Sequence, residues 1–243
     1  MRCAAGSRKP YAVCRMPVAV TTYRTLNQIV TTTDGSHTIY VPELDEHYHS
    51  VHGAFQESEF IFMKNGYDTC NNDPVNILEI GFGTGLNALL TAYRSLAGKR
   101  KVFYTTLDKY PLDKEITEKL NHHIFAGPSG KELFDKIHEA EWGKMICISP
   151  AFSLLKIRCD LTKDAIGGSY DLVYFDAFGP DKQPEMWSGN ILKKISDVIK
   201  PNGIFVTYSC KGEVKRNLRE YGFKVTLVQG PPGKRHITRA IKI

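Results

Sequence analysis

The stretch LEIGFGTGLNALL, Leu78–Leu90, decides the fold. A short apolar run ends at Ile80, and the apolar residues from Leu86 onward have helical spacing. Between them stand three glycines, Gly81, Gly83 and Gly85. Glycine has no Cβ, so such a turn lets backbone N–H groups and a helix N-terminus come close to a ligand. The stretch therefore predicts a strand, a ligand-binding turn and a helix.

The spacing of these glycines narrows the class of ligand. The pattern is G-x-G-x-G, which fits the G-x-G-x-x-G fingerprint of dinucleotide-binding proteins poorly. No Lys-Ser or Lys-Thr pair follows, so the turn is not a P-loop, and GPPGK at Gly230–Lys234 also lacks that spacing. Together with Glu79 just before it, the turn favours S-adenosylmethionine as the cofactor.

Strands and helices alternate from Val75 to the C-terminus. The apolar runs KVFYTTL, AFSLLKIRC, DLVYF and GIFVTYS predict strands, and helices are predicted over 86–96, 112–122, 131–142, 185–199 and 212–221. Repeated βα units predict an α/β fold with a doubly wound, mostly parallel sheet covered on both faces. The closing runs FKVTLVQG and HITRAIKI predict an antiparallel hairpin, which is typical of the Rossmann-like class I methyltransferases.

The segment before residue 68 has a different pattern. Asp34-Gly35 is a turn dipeptide between two apolar runs and predicts a β-hairpin, and a helix is predicted to end near Gly66. We therefore expect three parts: a disordered leader over 1–19, a hairpin-and-helix appendage over 20–67, and a methyltransferase domain over 68–243.

Composition excludes several classes of protein. The 243 residues include six cysteines without a C-x-x-C pair, and we interpret these as reduced thiols of a cytoplasmic protein. The sequence contains no signal-peptide core or membrane span, and His and Cys spacing predicts no metal site. The net charge is +6, of which +7 lies in residues 211–243, so a polyanion is a plausible partner. A solvated helix face would explain the same charge.

Acidic residues end three successive predicted strands. Asp108 stands where a carboxylate can bind both ribose hydroxyls of a cofactor, and Asp160 stands where an adenine amino group can be bound. Asp176 follows the strand DLVYF and precedes a Gly-Pro loop. Each alone could be a helix cap or a surface charge, but all three should meet at the same edge of the sheet.

Asp176 has three possible roles: a magnesium ligand beside a nucleotide, a catalytic or substrate-binding acid, or a helix cap. The first is disfavoured because the sequence offers no phosphate cradle. The second and third remain open from the residues alone.

Four motifs carry a family resemblance. EIGFGTGLN, FDAFGPDKQPEMW, GFKVTLVQGPPGKRHITRA and DGSHTIYVPELDEHYHSVHGAFQESEFIFMKNG resemble the MnmC-like methyltransferases of tRNA wobble-uridine modification. The resemblance covers roughly residues 20–243, and the loop after DLVYF is its most specific part. Two positions depart from the family pattern: Asp108, where Glu is commoner, and Cys159-Asp160, where Gly-Asp is usual.

The resemblance implies methyl transfer from S-adenosyl-L-methionine to 5-aminomethyluridine, or its 2-thio form, at the tRNA wobble position. In bifunctional relatives an FAD-dependent domain first removes a carboxymethyl group. This chain ends after its last predicted strand, so we expect a stand-alone transferase that acts downstream of the wobble-uridine aminomethylation machinery.

The roles of individual residues follow from these inferences. Asp176 is predicted to hydrogen-bond the acceptor amine and take its proton, and the loop Phe178, Gly179 and Pro180 to shape the acceptor pocket. The predicted cofactor contacts are Glu57, Glu79, Gly81, Phe82, Gly83, Thr84, Gly85, Asn87, Asp108 and Asp160. The predicted phosphate contacts to tRNA are Lys211, Lys215, Arg216, Lys234, Arg235 and Arg239.

Other functions fit the same features less well. An aminopropyltransferase of the spermidine synthase kind also uses an adenosyl sulfonium, but the basic C-terminal third argues against a polyamine substrate. A non-catalytic RNA-binding module would not need Glu79, Gly81, Asp108 and Asp176 together. A nicotinamide oxidoreductase is disfavoured by the glycine spacing.

Overall fold

A computed structural model describes residues 27–243 of the chain. The predicted leader over 1–19 and the first residues of the predicted appendage lie outside the described residues. The description begins at the first strand of a small sheet.

The N-terminal appendage consists of a three-stranded antiparallel sheet and a short helical segment. Its strands are β1 (Gln28–Thr31), β2 (His37–Val41) and β3 (Glu46–His47), in the order β1-β2-β3. The predicted Asp34-Gly35 turn joins the first two strands. Helix α1 (Ala54–Ser58) follows and continues as a π-helical segment over Glu59–Lys64.

The hairpin turn is also what fixes the start of α1. The Asp34 carboxylate accepts hydrogen bonds from the backbone N–H groups of Ser36, at 3.0 Å, and Gln56, at 2.9 Å. The second of these satisfies an N–H group in the first turn of α1 that has no partner within the helix. The appendage is therefore a single folded unit rather than a hairpin with a separate helix.

An eight-stranded sheet forms the body of the protein, in the order β10-β11-β9-β8-β4-β5-β7-β6. The five central strands pair in parallel, whereas β6, β10 and β11 join through antiparallel pairs. The strands are β4 (Val75–Ile80), β5 (Val102–Asp108), β6 (Met145–Ser149), β7 (Phe152–Arg158), β8 (Tyr170–Phe175), β9 (Ile199–Thr207), β10 (Phe223–Gln229) and β11 (His236–Lys242).

The central strands are apolar because helices cover both faces of the sheet. Along β8, Leu172 and Tyr174 belong to the core on one face, and Val173 and Phe175 belong to the core on the other. The helices are α2 (Leu86–Gly98), α3 (Lys114–Thr117), α4 (Gly130–Glu139), α5 (Gly189–Val198) and α6 (Gly212–Glu220). Within residues 27–243, no helix combines the length and apolar character that crossing a membrane requires.

The predicted helix over 112–122 is wrong for most of its length. Only Lys114–Thr117 is α-helical, and a 3-10 turn follows at His122–Phe125. The Asn121 side chain explains the difference, because it accepts the N–H of His37 at 2.8 Å and donates to the carbonyl of Gly35 at 2.9 Å. These bonds tie the segment to the appendage instead of extending the helix.

Two further elements differ from the sequence prediction, one helix and one strand. The predicted helix over 185–199 is a 3-10 turn, Pro184–Trp187, followed by α5. Strand β6 was not predicted at all. It is an antiparallel edge strand with mixed exposure, so it lacks the continuous apolar run of the central strands.

The turn after β4 is shaped by a close approach of two strand ends. Gly81 has φ +90°, and a Cβ built on it would lie 2.6 Å from the carbonyl oxygen of Asp176. Two backbone hydrogen bonds hold the strand ends together at this point. The N–H of Asp176 donates to the carbonyl of Ile80, and the N–H of Gly81 donates to the carbonyl of Leu107, each at 2.9 Å. Only glycine permits both the backbone conformation and the contact.

We predict that Gly81→Ala lowers the free energy of unfolding by about 2 kcal/mol or more, because the new Cβ meets backbone at an unfavourable φ. Urea and thermal unfolding measure the loss. Gly98→Ala is the matched control, since a Cβ at the end of α2 would have nothing within 4 Å. Equal stability of the two variants would contradict the importance of the Gly81 contact.

Candidate active site

A cavity of about 760 Å³ opens at the carboxyl ends of the central strands. This volume is within the range of roughly 300–1,000 Å³ that is common for small-molecule and cofactor pockets. Its lining comes from the glycine turn, the ends of β5, β7 and β8, the appendage and the β10–β11 loop. The cavity lies where the strand order reverses around β4 and β8, which is the usual ligand position in an open α/β sheet.

The glycine turn is held by the acid at the end of β5. Asp108 accepts hydrogen bonds from the N–H of Gly83 at 3.0 Å and the N–H of Tyr110 at 2.8 Å. Asp108 is also one of the residues that line the cavity. The predicted contact of Asp108 with a ribose is compatible with this geometry and stays a prediction.

The lining residues fit an adenosyl cofactor in several respects. Thr84 lines the cavity, and its buried hydroxyl has no hydrogen-bond partner among the described residues. Helix α2 begins two residues after Thr84, at Leu86. Of the ten predicted cofactor contacts, eight line the cavity: Glu57, Gly81, Phe82, Gly83, Thr84, Asn87, Asp108 and Asp160.

Glu79 and Gly85 do not line the cavity. The Glu79 side chain is completely buried behind the glycine turn. Burial raises the pKa of Glu79 to about 8, and the nearby negative charge of Asp176 adds to the rise. Glu79 is therefore mostly neutral at pH 7, and its place is beneath the wall of the site.

Asp160 is buried at the end of β7 and engaged by protein groups. Its Oδ1 accepts hydrogen bonds from the N–H and hydroxyl of Thr162, and its Oδ2 lies 3.0 Å from the Lys109 ammonium. Burial alone would raise the pKa of Asp160, but the hydrogen bonds from Thr162 and Lys109 hold it below its usual value. Asp160 stays charged and orders the loop after β7, and its contact with an adenine amino group stays a prediction.

Asp176 faces the cavity from the end of β8. Its Oδ2 accepts a hydrogen bond from the side-chain amide of Asn87 at 2.8 Å. Burial raises the pKa of Asp176 to about 7, and the negative charge of Glu57 adds to the rise, while Asn87 and Lys234 oppose it. This carboxyl group can therefore exchange a proton near neutral pH, as a general base must.

The appendage supplies a second carboxylate. Glu57 on α1 accepts the N–H of Ser50 at 2.7 Å, and its other oxygen lies 3.1 Å from the Lys234 ammonium. Glu57 was predicted as a cofactor contact and Lys234 as a phosphate contact. The structure brings them together in the same cavity as Asp176.

Aromatic side chains fix the loop after Asp176. The indole N–H of Trp187 donates to the carbonyl of Phe178 at 2.7 Å, and the hydroxyl of Tyr208 donates to the carbonyl of Ala177 at 2.7 Å. The Phe178 ring meets that of Tyr48 edge-on, with centroids 4.9 Å apart. Sequence reasoning did not assign Tyr48 or Tyr208 to the site. Tyr48 lies within the quoted N-terminal motif and Tyr208 within a predicted strand, but neither position indicates a contact with the loop after Asp176.

The remaining predicted contacts lie around the cavity. Phe178 and Gly179 line it, whereas Pro180 does not. Lys211, directly before α6, pairs with Asp181, which belongs to the loop after Asp176. Outside the lining lie the other predicted phosphate contacts, on α6 and the C-terminal hairpin: Lys215, Arg216, Arg235 and Arg239. In the part of the chain from 27 to 243, no group of three or more His, Cys, Asp or Glu side chains could hold a metal ion.

Known proteins are similar to this chain in sequence and in fold. Residues 152–243 match a family described as S-adenosyl-L-methionine-dependent methyltransferase. The tRNA 5-methylaminomethyl-2-thiouridine biosynthesis bifunctional protein MnmC of Burkholderia thailandensis is 30% identical over 218 residues, 82% of this chain and 32% of that protein. The MnmC protein of Cupriavidus metallidurans is 28% identical over 220 residues, 84% of this chain and 32% of that protein.

The crystal structure of MNMC2 from Aquifex aeolicus matches with a TM-score of 0.68 at 27% identity, over 88% of this chain and 70% of that chain. The chain is similar to MnmC proteins and to S-adenosyl-L-methionine-dependent methyltransferases. A spermidine synthase structure matches with a TM-score of 0.51 at 14% identity, over 86% of this chain and 70% of that chain, and shows the fold alone. The predicted class I methyltransferase fold is thereby confirmed. This MnmC-like chain spans about a third of the length of the curated relatives it matches.

We predict that Asp108→Ala weakens binding of S-adenosyl-L-methionine about tenfold or more, because it removes a charged acceptor from the cavity and releases Gly83. Isothermal titration calorimetry measures the affinity, and a thermal melt checks the fold. Asp135→Ala is the matched control, since Asp135 lies on α4 outside the cavity lining, with its side chain 44% exposed and paired with Lys131. Unchanged affinity in a folded Asp108 variant would refute the contact.

Proposed function

We propose that this protein methylates 5-aminomethyluridine, or its 2-thio form, at the wobble position of tRNA, giving the 5-methylaminomethyl nucleoside. The observation that carries the proposal is Asp176, a carboxyl group with a pKa of about 7 that faces the cavity beside the predicted cofactor contacts. The names of the matched MnmC proteins, which refer to tRNA 5-methylaminomethyl-2-thiouridine biosynthesis, support the same substrate.

The chemistry requires a base at this position. A primary alkylamine resembles the lysine side chain and is mostly protonated at neutral pH. Only the neutral amine has a lone pair with which to attack a methyl group. Asp176 in its carboxylate form can accept the proton and, through its hydrogen bond from Asn87, is held in one orientation.

Bonds and protons balance without a further reactant. Bound in the cavity, S-adenosyl-L-methionine would supply a methyl group on a sulfonium, whose sulfur would keep the electron pair of the broken S–C bond and leave as a thioether. The neutral amine held by Asp176 would form the new N–C bond. The proton that Asp176 takes from the amine returns to solvent, so no metal or redox group is needed for this step.

Recognition of tRNA is assigned to the basic C-terminal part of the chain. The proposed phosphate contacts, which would set affinity and salt dependence rather than base choice, are Lys211, Lys215, Arg216, Arg235 and Arg239. Phe178, which lines the cavity, is proposed to stack on a flipped-out base. A tRNA substrate puts the protein in the cytoplasm, after the reactions that install the aminomethyl group.

Aminopropyl transfer to a polyamine is the second candidate function. Glu57 and Asp176 give the cavity two carboxylates, which suit a substrate with several ammonium groups. Incubation with putrescine and decarboxylated S-adenosylmethionine, followed by product analysis, separates this candidate from methyl transfer.

Labelled S-adenosyl-L-methionine and tRNA carrying 5-aminomethyluridine test the function directly. We expect nucleoside mass spectrometry to find the methylaminomethyl product, and none from tRNA carrying the carboxymethylaminomethyl precursor. Asp176→Asn should keep cofactor binding but lose about 100-fold or more in turnover, because general-base catalysis typically contributes a factor of this size. Asp197→Asn, an exposed change on α5, is the control. Near wild-type turnover of the Asp176 variant would show that Asp176 is not the general base.

The pH dependence provides an independent check. Because the pKa of Asp176 is raised to about 7, the active carboxylate form predominates above that pH and is lost below it. We therefore expect kcat/KM, which reports the ionisation of the free enzyme, to fall as pH decreases through about 7. Glu57→Gln should move this midpoint to lower pH, since it removes the negative charge that raises the pKa. A midpoint that stays in place would show that another group controls the acid limb.

A further inference from the structure

Lys234 occupies an unexpected position for a residue of a surface loop. The loop joins β10 to β11, yet the Lys234 side chain is only 27% exposed and its ammonium lies 3.1 Å from Glu57 Oε1. The same ammonium lies 4.7 Å from the centre of the Tyr208 ring, a favourable cation–π distance. A carboxylate and an aromatic ring thus hold the charge inside the cavity.

This side chain has the chemistry of the proposed acceptor. The lysine ε-ammonium is a primary alkylammonium, as is the protonated aminomethyl group of the substrate. Lys234, Glu57 and Asp176 line one cavity, and the charges of both Glu57 and Lys234 act on Asp176. The protein's own ammonium therefore stands where a substrate ammonium would find its counter-charge.

The loop geometry allows the side chain to leave without unfolding the hairpin. Lys234 donates its N–H to the carbonyl of Pro231 at 2.9 Å, and Gly230 donates to the carbonyl of Arg235 at 3.0 Å. These bonds fix the loop backbone in a tight turn. None of these bonds involves the Lys234 side chain, so release of its ammonium from Glu57 does not require breaking them.

We propose that Lys234 is a specificity-determining residue whose ammonium occupies Glu57 until the ammonium of the substrate displaces it. The inference rests on the proposed function and extends it. The exchange replaces one cation with another, so Glu57 is not left unpaired in a partly buried site, which would be costly. A neutral group such as a hydroxymethyl cannot make the exchange and leaves the Lys234–Glu57 pair in place.

Binding of nucleosides tests the exchange, since a nucleoside carries no phosphate. In the presence of S-adenosylhomocysteine, calorimetry would compare 5-aminomethyluridine with the neutral analogue 5-hydroxymethyluridine. We expect Lys234→Gln to bind the amine about tenfold more tightly than the unmodified protein, because no internal cation competes for Glu57. Its affinity for the hydroxymethyl analogue should not change, and Glu57→Gln should weaken amine binding.

Lys224→Gln is the matched control, because Lys224 is an exposed residue of β10 on the same hairpin. It should leave both affinities unchanged, and thermal melts verify that each variant is folded. Equal or weaker binding of the amine by Lys234→Gln, or no binding by either protein, overturns the exchange. Weakened binding of an anticodon stem-loop with unchanged nucleoside binding also overturns it and makes Lys234 a phosphate contact.

The proposed function and the exchange can fail separately. Tighter amine binding by Lys234→Gln, without methyl transfer to any aminomethyl tRNA, would keep the exchange and remove the proposed reaction. Methyl transfer by the unmodified protein, without tighter binding by the variant, would keep the reaction and remove the exchange.

Discussion

The contact between the backbone of Gly81 and the carbonyl of Asp176 is the constraint on which the site depends. Gly81 and Asp176 directly follow the neighbouring parallel strands β4 and β8. A side chain at position 81 would force the ends of these two strands apart. The glycine turn, the predicted cofactor cradle, and the loop that carries the proposed base are thus positioned by one interaction. Preorganisation of this kind places two reacting groups without an entropic cost at the moment of reaction.

The sequence predicts the centre of the fold better than its edges. Strands buried on both faces, such as β4 and β8, consist mostly of apolar residues, so their existence can be inferred from the sequence. Strand β6 has only one strand neighbour and mixed exposure, so no such run marks it. The segment over 112–122 has helical spacing, but two hydrogen bonds between the Asn121 side chain and the distant hairpin determine the conformation of this segment. Long-range bonds of this kind leave no periodic pattern.

The same distinction applies to the site. Asp108, Asp160 and Asp176 could be grouped in advance, because the carboxyl ends of parallel strands meet at one edge of a sheet. Glu57 and Lys234 are far apart in the chain and become partners only when the appendage and the C-terminal hairpin both reach the cavity. From charge alone, Lys234 was grouped with the surface residues around it. Pairing across the cavity, rather than residue type, distinguishes it from them.

The appendage and the C-terminal hairpin together adjust the acidity of the proposed base. Burial at the end of β8 would leave Asp176 poorly able to hold a charge, and the carboxylate of Glu57 increases that effect, whereas the ammonium of Lys234 and the amide of Asn87 reduce it. The resulting pKa near 7 allows the group to take a proton and release it again within one catalytic cycle. A base with the usual acidity of aspartate would be too weak to deprotonate an alkylammonium effectively. The two segments that flank the Rossmann-like sheet therefore do more than enclose the cavity, because their opposite charges adjust a proton affinity that burial has already raised.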